Sequence, residues 1–443
     1  MGWSRRYSLW SYVKSSLWLV PFIALLFYIL VIRLAYLFEP WLAWIEPWPL
    51  GLAGSQRLLE TIITMTLTFV VFTFGSLLVA IQVAGGQLTP RIIATTLLCD
   101  NAIRFTVGLF IFTLLFATGT LARLEAEVHP AVVGIAGFLG FLSIAAFLYL
   151  IDYAARLLRP VAIILRVSEV GRRVIAEAFP IMATSETEAV ADCQKPNLPP
   201  DKIIFYRGRP AIIVAVNKKA LLALAEKTGS VFELVPRVGD FVGSGEPLFR
   251  LYGKRLPSDD VLKANVAFGR ERALEQDVTF AFRIIVDIGI KALSKAINDP
   301  TTAVLAIDQL QRLLCYVGRR SLREEEILGQ SGELRVVCRT PDWEDFVKLT
   351  FSEIRLYGAE NFQIARRLRA VLEHALQVLP PFRRPALETE LTLLDRSLAK
   401  AYDLPEDLAL ARTADTQGLG GSKSSLDPGS VAGETGWEPR RLA

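Results

Sequence analysis

Side chains able to do chemistry are few in this sequence, and their spacing limits what they can do. Only two histidines (His129, His374) and four cysteines (Cys99, Cys193, Cys315, Cys338) occur in 443 residues. The cysteines stand singly, so the usual zinc ligand sets cannot be assembled, and no metal or other cofactor is expected. Unpaired cysteines suit a reducing cytosol. The remaining polar candidates lie in the second half: Arg272, Gln276, Asp277, Arg283, Asp287, Asn298 and Asp299. As a site they would take a cation, a phosphate or a nucleotide. As structure they are helix caps and an ion-pair network. The spacing favours structure, because Arg283, Asp287, Lys291 and Lys295 recur every four residues and Asn298-Asp299 precedes Pro300 as an N-cap would. No Gly-rich phosphate loop accompanies them. With no nucleophile–base pair either, no enzymatic activity is expected.

A second set of polar residues sits in an apolar stretch. Thr61, Thr68, Gly75 and Gln82 recur every seven residues, with Thr64 and Gly86 on the same helical face. Such a stripe either packs helices closely or lines a watery path. The next residues, Gln87, Thr89, Pro90 and Arg91, read as an inner loop in which Thr89 caps a short helix starting at Pro90 and reaching about Leu98. Arg91 would meet anionic headgroups or a cytoplasmic acid there.

The elements that carry these residues follow from how charge is distributed. The chain is 52% hydrophobic yet 21% charged, which is reconciled only if the apolar residues are segregated, as they are in the first 151. Four stretches are long enough to cross a bilayer: about 17–38, 60–82, 104–123 and 130–151. No central Asp, Glu, Lys or Arg interrupts them, which disfavours a proton pump built on buried carboxylates. The fourth carries Gly134, Gly137 and Gly140, a sign of close packing. Arg5, Arg6, Lys14, Arg91, Arg104 and the arginines from Arg156 to Arg173 fall on one side, which the positive-inside rule makes cytoplasmic. Both termini are therefore expected inside, in a multi-pass protein of the inner (plasma) membrane. A net charge of +4 and the lack of a basic aromatic tract argue against nucleic acid.

The expected fold is an α-helical integral membrane protein with four transmembrane helices (1–151), followed by a cytoplasmic α+β part. From Asp152 a helix is expected to run to about Phe179, and a juxtamembrane linker completes 152–200. A small β module (201–258) follows, with strands at Ala211–Val216 and Ser230–Val235. Next come a helical domain (259–411), its first helix running Val261–Ile297, and a disordered Gly/Ser-rich tail (412–443). A strand is expected at Glu333–Thr340, then helices from Asp342, at Asn361–Leu379 and at Pro385–Tyr402.

Two resemblances add to this reading. The run from Val238 to Leu251 resembles the G-D-x-V-x-x-G-x-P-L-x-x-L signature of biotinyl/lipoyl-like barrel-sandwich domains. Lys254 lacks the flanking residues of their modified lysine, so an unmodified structural insert is implied. The segments Ser76–Arg91 and Gln276–Ala303, including A-L-S-x-x-I-N-D-P-x-T-A, resemble an uncharacterised family of bacterial predicted membrane proteins, a domain of unknown function. The resemblance implies an architecture and no activity. The function expected is a homo-oligomeric channel or passive transport protein with a cytoplasmic regulatory domain. The alternative is a membrane-anchored scaffold or sensor that binds an unidentified cytoplasmic partner or ligand.

Overall fold

A computed structural model describes residues 2–7, 19–42, 51–87, 100–124, 129–157, 159–184, 199–322 and 325–419. Apolar sequence at the N-terminal end forms helices α1 (Leu19–Leu42), α2 (Leu52–Gln87), α3 (Asn101–Leu121) and α4 (Pro130–Leu157). Three of these, over Leu52–Gln82, Asn101–Leu121 and Pro130–Arg156, are long and apolar enough to cross a membrane. The apolar part of α1, Leu19–Ala35, is shorter and includes Arg33 near its end.

Within the bundle α3 is central, packing against α1, α2 and α4. Close approach to α1 is set by glycine: a Cβ on Gly108 would lie 2.7 Å from Val20 Cγ1, and one on Gly119 would collide with the Tyr28 hydroxyl. Gly140 of α4 rests on Ile62 of α2. Phe69, Phe110 and Phe147 fill the centre, with Phe69 and Phe147 stacked at 4.0 Å. Buried Ser143 donates to Thr113 Oγ1 across the α3–α4 contact (3.1 Å).

The helix expected to continue from the fourth span to Phe179 is instead broken. Pro160 forces Arg159 into an extended conformation (ψ 130°), and a separate α5 (Pro160–Ala178) starts there. Gly171 lets α5 cross α8 (Phe280–Ala292) closely, a Cβ there falling 2.5 Å from that of Ala281. α5 also packs on α9 (Pro300–Gly318). One continuous apolar core runs from Leu77, Ile103 and Phe110 through Ile163 and Val167 into α8, α9, α10 (Trp343–Gly358), α11 (Phe362–Val378) and α12 (Arg384–Ala401). Trp343, Phe346, Val347, Phe351 and Ile354 all point inward, as their spacing requires.

The β strands are β1 (Lys202–Phe205), β2 (Ala211–Val216), β3 (Val231–Leu234), β4 (Phe241–Val242), β5 (Pro247–Tyr252), β6 (Val266–Gly269), β7 (Glu325–Leu328) and β8 (Leu334–Cys338). They form a five-stranded sheet in the order β1-β5-β3-β8-β7 and a three-stranded sheet β4-β2-β6. The sheets thus draw on β6, β7 and β8, from chain beyond residue 258. The single helix expected over Val261–Ile297 is correspondingly wrong. A short helix, Asp259–Lys263, is followed by β6 paired to β2, and the next helix begins only at Phe280. Residues 412–418, expected in the disordered tail, instead close over α11: Arg367 Nη1 donates to the Thr416 carbonyl (2.8 Å), and Gln363 Nε2 to that of Gly418 (2.7 Å). At the other end, residues 3–7 form a helical turn against the β module, where the Ser4 N–H donates to the Ala264 carbonyl (3.3 Å).

Candidate functional site

Helix α2 shows two unlike faces. Leu59, Ile62, Thr66, Thr73, Leu77 and Ala80 are buried against the bundle. Thr61, Thr64, Thr68, Gly75 and Gln82 are all exposed. Among the described residues the stripe therefore has nothing packed over it. Its hydroxyls bond back to helix carbonyls, Thr61 to Arg57 (2.7 Å), Thr64 to Glu60 (2.9 Å) and Thr68 to Thr64 (2.7 Å). A Cβ on Gly75 would meet nothing within 4 Å, so no close neighbour explains that glycine. Gly86 and Gln87 close the helix, their side-chain surroundings lying outside the described residues. Thr89, Pro90 and Arg91, with the helix expected through Leu98, lie outside them altogether.

Sequence spacing missed a polar latch where the bundle meets α5. Asp100, 6% exposed, caps α3 by accepting from Ala102 N–H (2.9 Å). It also accepts from the Tyr153 hydroxyl of α4 (2.6 Å) and from Arg166 Nη1 of α5 (3.0 Å), while Arg166 Nη2 reaches the Tyr153 oxygen (3.3 Å). One buried carboxylate thus ties three helices together at the end of the bundle. Its capping role was legible from Asp-Asn before an apolar run. Its partners, 53 and 66 residues away, were not.

The polar candidates of the second half separate into three places along α8. At its start, Asp277 Oδ1 accepts from Thr279 N–H (3.0 Å) and Phe280 N–H (3.1 Å), and Oδ2 from Arg272 (3.3 Å). Gly239, at φ 95°, lets the β module approach Asp277 so closely that any Cβ there would collide with the carboxylate. Gln276 accepts from Val216 N–H (3.0 Å), pinning α8 to β2. Burial pushes the Asp277 carboxyl above its usual range, against the opposing pull of Thr279 and Arg272. Along the helix, Arg283 Nε donates to Asp287 (2.6 Å) and Nη2 to Glu353 of α10 (2.9 Å). The Glu353 hydrogen bond raises the guanidinium pKa, and Arg283 in turn holds the Glu353 carboxyl below its usual range. Beyond the helix, Asn298 adopts φ 48° and Asp299 caps α9 through Thr302 N–H (3.1 Å). Of these residues only Gln276 lines the nearby junction cavity, which has water-sized space of about 40 Å³ beside Lys218, Arg237 and Arg339. The geometry accounts for each carboxylate as a cap or an ion-pair partner.

The fold and these contacts define a membrane protein with a helical bundle latched to an α+β domain. The chain belongs to a family described as predicted membrane protein (DUF2254), matched over residues 14–374. Uncharacterized proteins of Mycobacterium bovis and Mycobacterium tuberculosis are 24% identical to it over 375 residues, covering 81% of this chain and 71% of theirs. No solved structure matches.

Proposed function

We propose that the protein is a homo-oligomeric channel or passive transport protein of the inner membrane, in which α2 helices from several copies line the path and the α+β domain regulates it. The observation carrying this is the exposure of Thr61, Thr64, Thr68, Gly75 and Gln82 on the outside of a bundle whose own centre is closed by Phe69, Phe110 and Phe147. A polar route, if one copy has no room for it, runs between copies. Back-bonding makes the hydroxyls tolerable in hydrocarbon, but the exposed Gln82 amide and the open side of Gly75 have no such compensation.

The reading takes four crossings with both termini inside. The hydrogen bond from Ser4 to Ala264 supports it, because it suits a chain whose segments before α1 and after α4 lie on one side, as an even number of crossings would leave them. Helices α2, α3 and α4 supply three; α1, 24 residues and roughly 36 Å long, is able to supply the fourth. Catalysis forms no part of the proposal. The two-sheet module is read as an unmodified barrel-sandwich-like regulator, with Val242, Leu248 and Leu251 buried inside it.

The test is flux of potassium, chloride and glycerol through liposomes holding the full chain, with cysteine cross-linking at Thr64 and Thr68. Flux reduced by Gly75→Phe, and cross-links between copies, are the expected results. Absence of flux for all three solutes together with no cross-linking would overturn the reading.

A further inference from the structure

A groove lies between α2, α3 and α4, with a volume of about 210 Å³. That exceeds the roughly 150 Å³ of a cavity that accepts a benzene ring. Phe72, Leu77, Ala80, Ile103, Phe147 and Leu150 form its walls. Its polar content is slight: the Ser76 hydroxyl is turned onto the Thr73 carbonyl (3.0 Å), which leaves the Thr73 hydroxyl, buried and without a partner. Water needs two to four polar partners to be held, so the groove selects an apolar occupant.

Its shape and mouth specify which one. Along α4 it runs from Phe147 to Ala155, about 12 Å at the helical rise, close to the ~15 Å depth of one leaflet's hydrocarbon. With α4 crossing the bilayer, a groove of that length along it would span one leaflet and open at the end of the bundle where Asp100 and α5 begin. The chain leaves that end through Arg156 and Arg159, both exposed. Arg156 is paired with Asp152, whereas Arg159 has no ion pair among the described residues. We propose that the groove binds one acyl chain of an anionic phospholipid of the cytoplasmic leaflet, with Arg159 facing its phosphate. The site rests on the orientation proposed above and is independent of conduction. Bound there, a lipid touches α2 on one side and the α4–α5 junction on the other, next to the Asp100 latch.

The experiment is native mass spectrometry of the delipidated full chain in detergent, with phosphatidylglycerol or phosphatidylcholine added back. Wild type is expected to retain one phosphatidylglycerol per chain. Ala155→Phe, at an exposed position in the mouth, and the milder Ala154→Leu should weaken retention roughly tenfold, with the thermal midpoint of the lipid-free protein unchanged. Arg159→Gln should erase the preference for phosphatidylglycerol while leaving phosphatidylcholine retention as it was. Equal retention by wild type and both groove variants overturns the proposal, as does failure of wild type to retain added lipid. A change of oligomeric state in Ala155→Phe without loss of lipid would assign the groove to a second copy instead, and overturns it too. Detergent removes sidedness, so retention tests the site alone; labelling of Arg159→Cys, in a chain with its native cysteines replaced, by an impermeant thiol reagent added outside intact cells would overturn the orientation and leave groove retention as it was.

Discussion

Helices α2 and α3 lie side by side, and both carry glycines and threonines through an apolar run, yet they use them in opposite ways. On α3, Gly108 and Gly119 are filled by Val20 and Tyr28 of α1, and Thr113 receives a hydrogen bond from Ser143. On α2, Gly75 faces open space and Thr61, Thr64 and Thr68 bond only to their own helix. Small residues in a membrane helix thus mark either a contact already made within the chain or a face left for something outside it. Composition does not separate the two; exposure does.

The comparison predicts unequal costs. Gly119→Leu drives a side chain into Tyr28 and Ile32 and should destabilise the bundle by about 3 kcal/mol, the upper part of the range for overpacking. The thermal midpoint in detergent checks this. Asp100→Ala removes an N-cap and leaves Arg166 and Tyr153 without their shared acceptor. Because Arg166 is 39% exposed, solvent screens part of the loss, and about 2 kcal/mol is expected. Limited proteolysis should show α5 released from the bundle before the α+β domain unfolds.

Buried and exposed polar groups contrast in the α+β domain as well. Burial raises the Asp277 carboxyl in the folded protein, so the native state binds its proton more tightly than the unfolded chain. The resulting stabilisation is complete below the usual carboxylate range and is lost as pH rises through the raised native value. Relative to Asp277→Asn, wild type should lose stability as the pH climbs above that range, in paired thermal melts. A difference that stays constant or grows in favour of wild type contradicts this. The smallest effect is expected on α2: Gly75→Leu should change stability by no more than about 0.5 kcal/mol, while altering flux.

Much of this contrast was legible in the sequence, but only in part. The seven-residue spacing of Thr61, Thr68, Gly75 and Gln82 defines a face without saying what covers it, because coverage depends on where α3 and α4 dock. Gly108 and Gly119, eleven residues apart, fall on one face too, but their partners on α1 are distant in the chain. Pro160 is a local signal, and it ends α4 where the rules for the residue before proline require. Strand β8 was legible as the run Glu333–Thr340, but its parallel pairing with β3, about 100 residues earlier, was not. Strand β6 was missed for the same reason, because its short run is held by pairing with β2, 50 or more residues away. The cluster around Asp277 was visible as residue types, while the three separate positions along α8 required the fold.

The central claim is that the α2 stripe faces a watery path between copies. It is tested most directly by single cysteines placed along α2 in a background with Cys99, Cys193, Cys315 and Cys338 replaced by serine, and probed in membranes with a charged, water-borne thiol reagent. Modification at positions 61, 64, 68, 75 and 82, with protection at the exposed Leu67 and Phe74 on another face, is the pattern predicted. Uniform protection along the helix, or equal modification at Leu67 and Thr68, would contradict it.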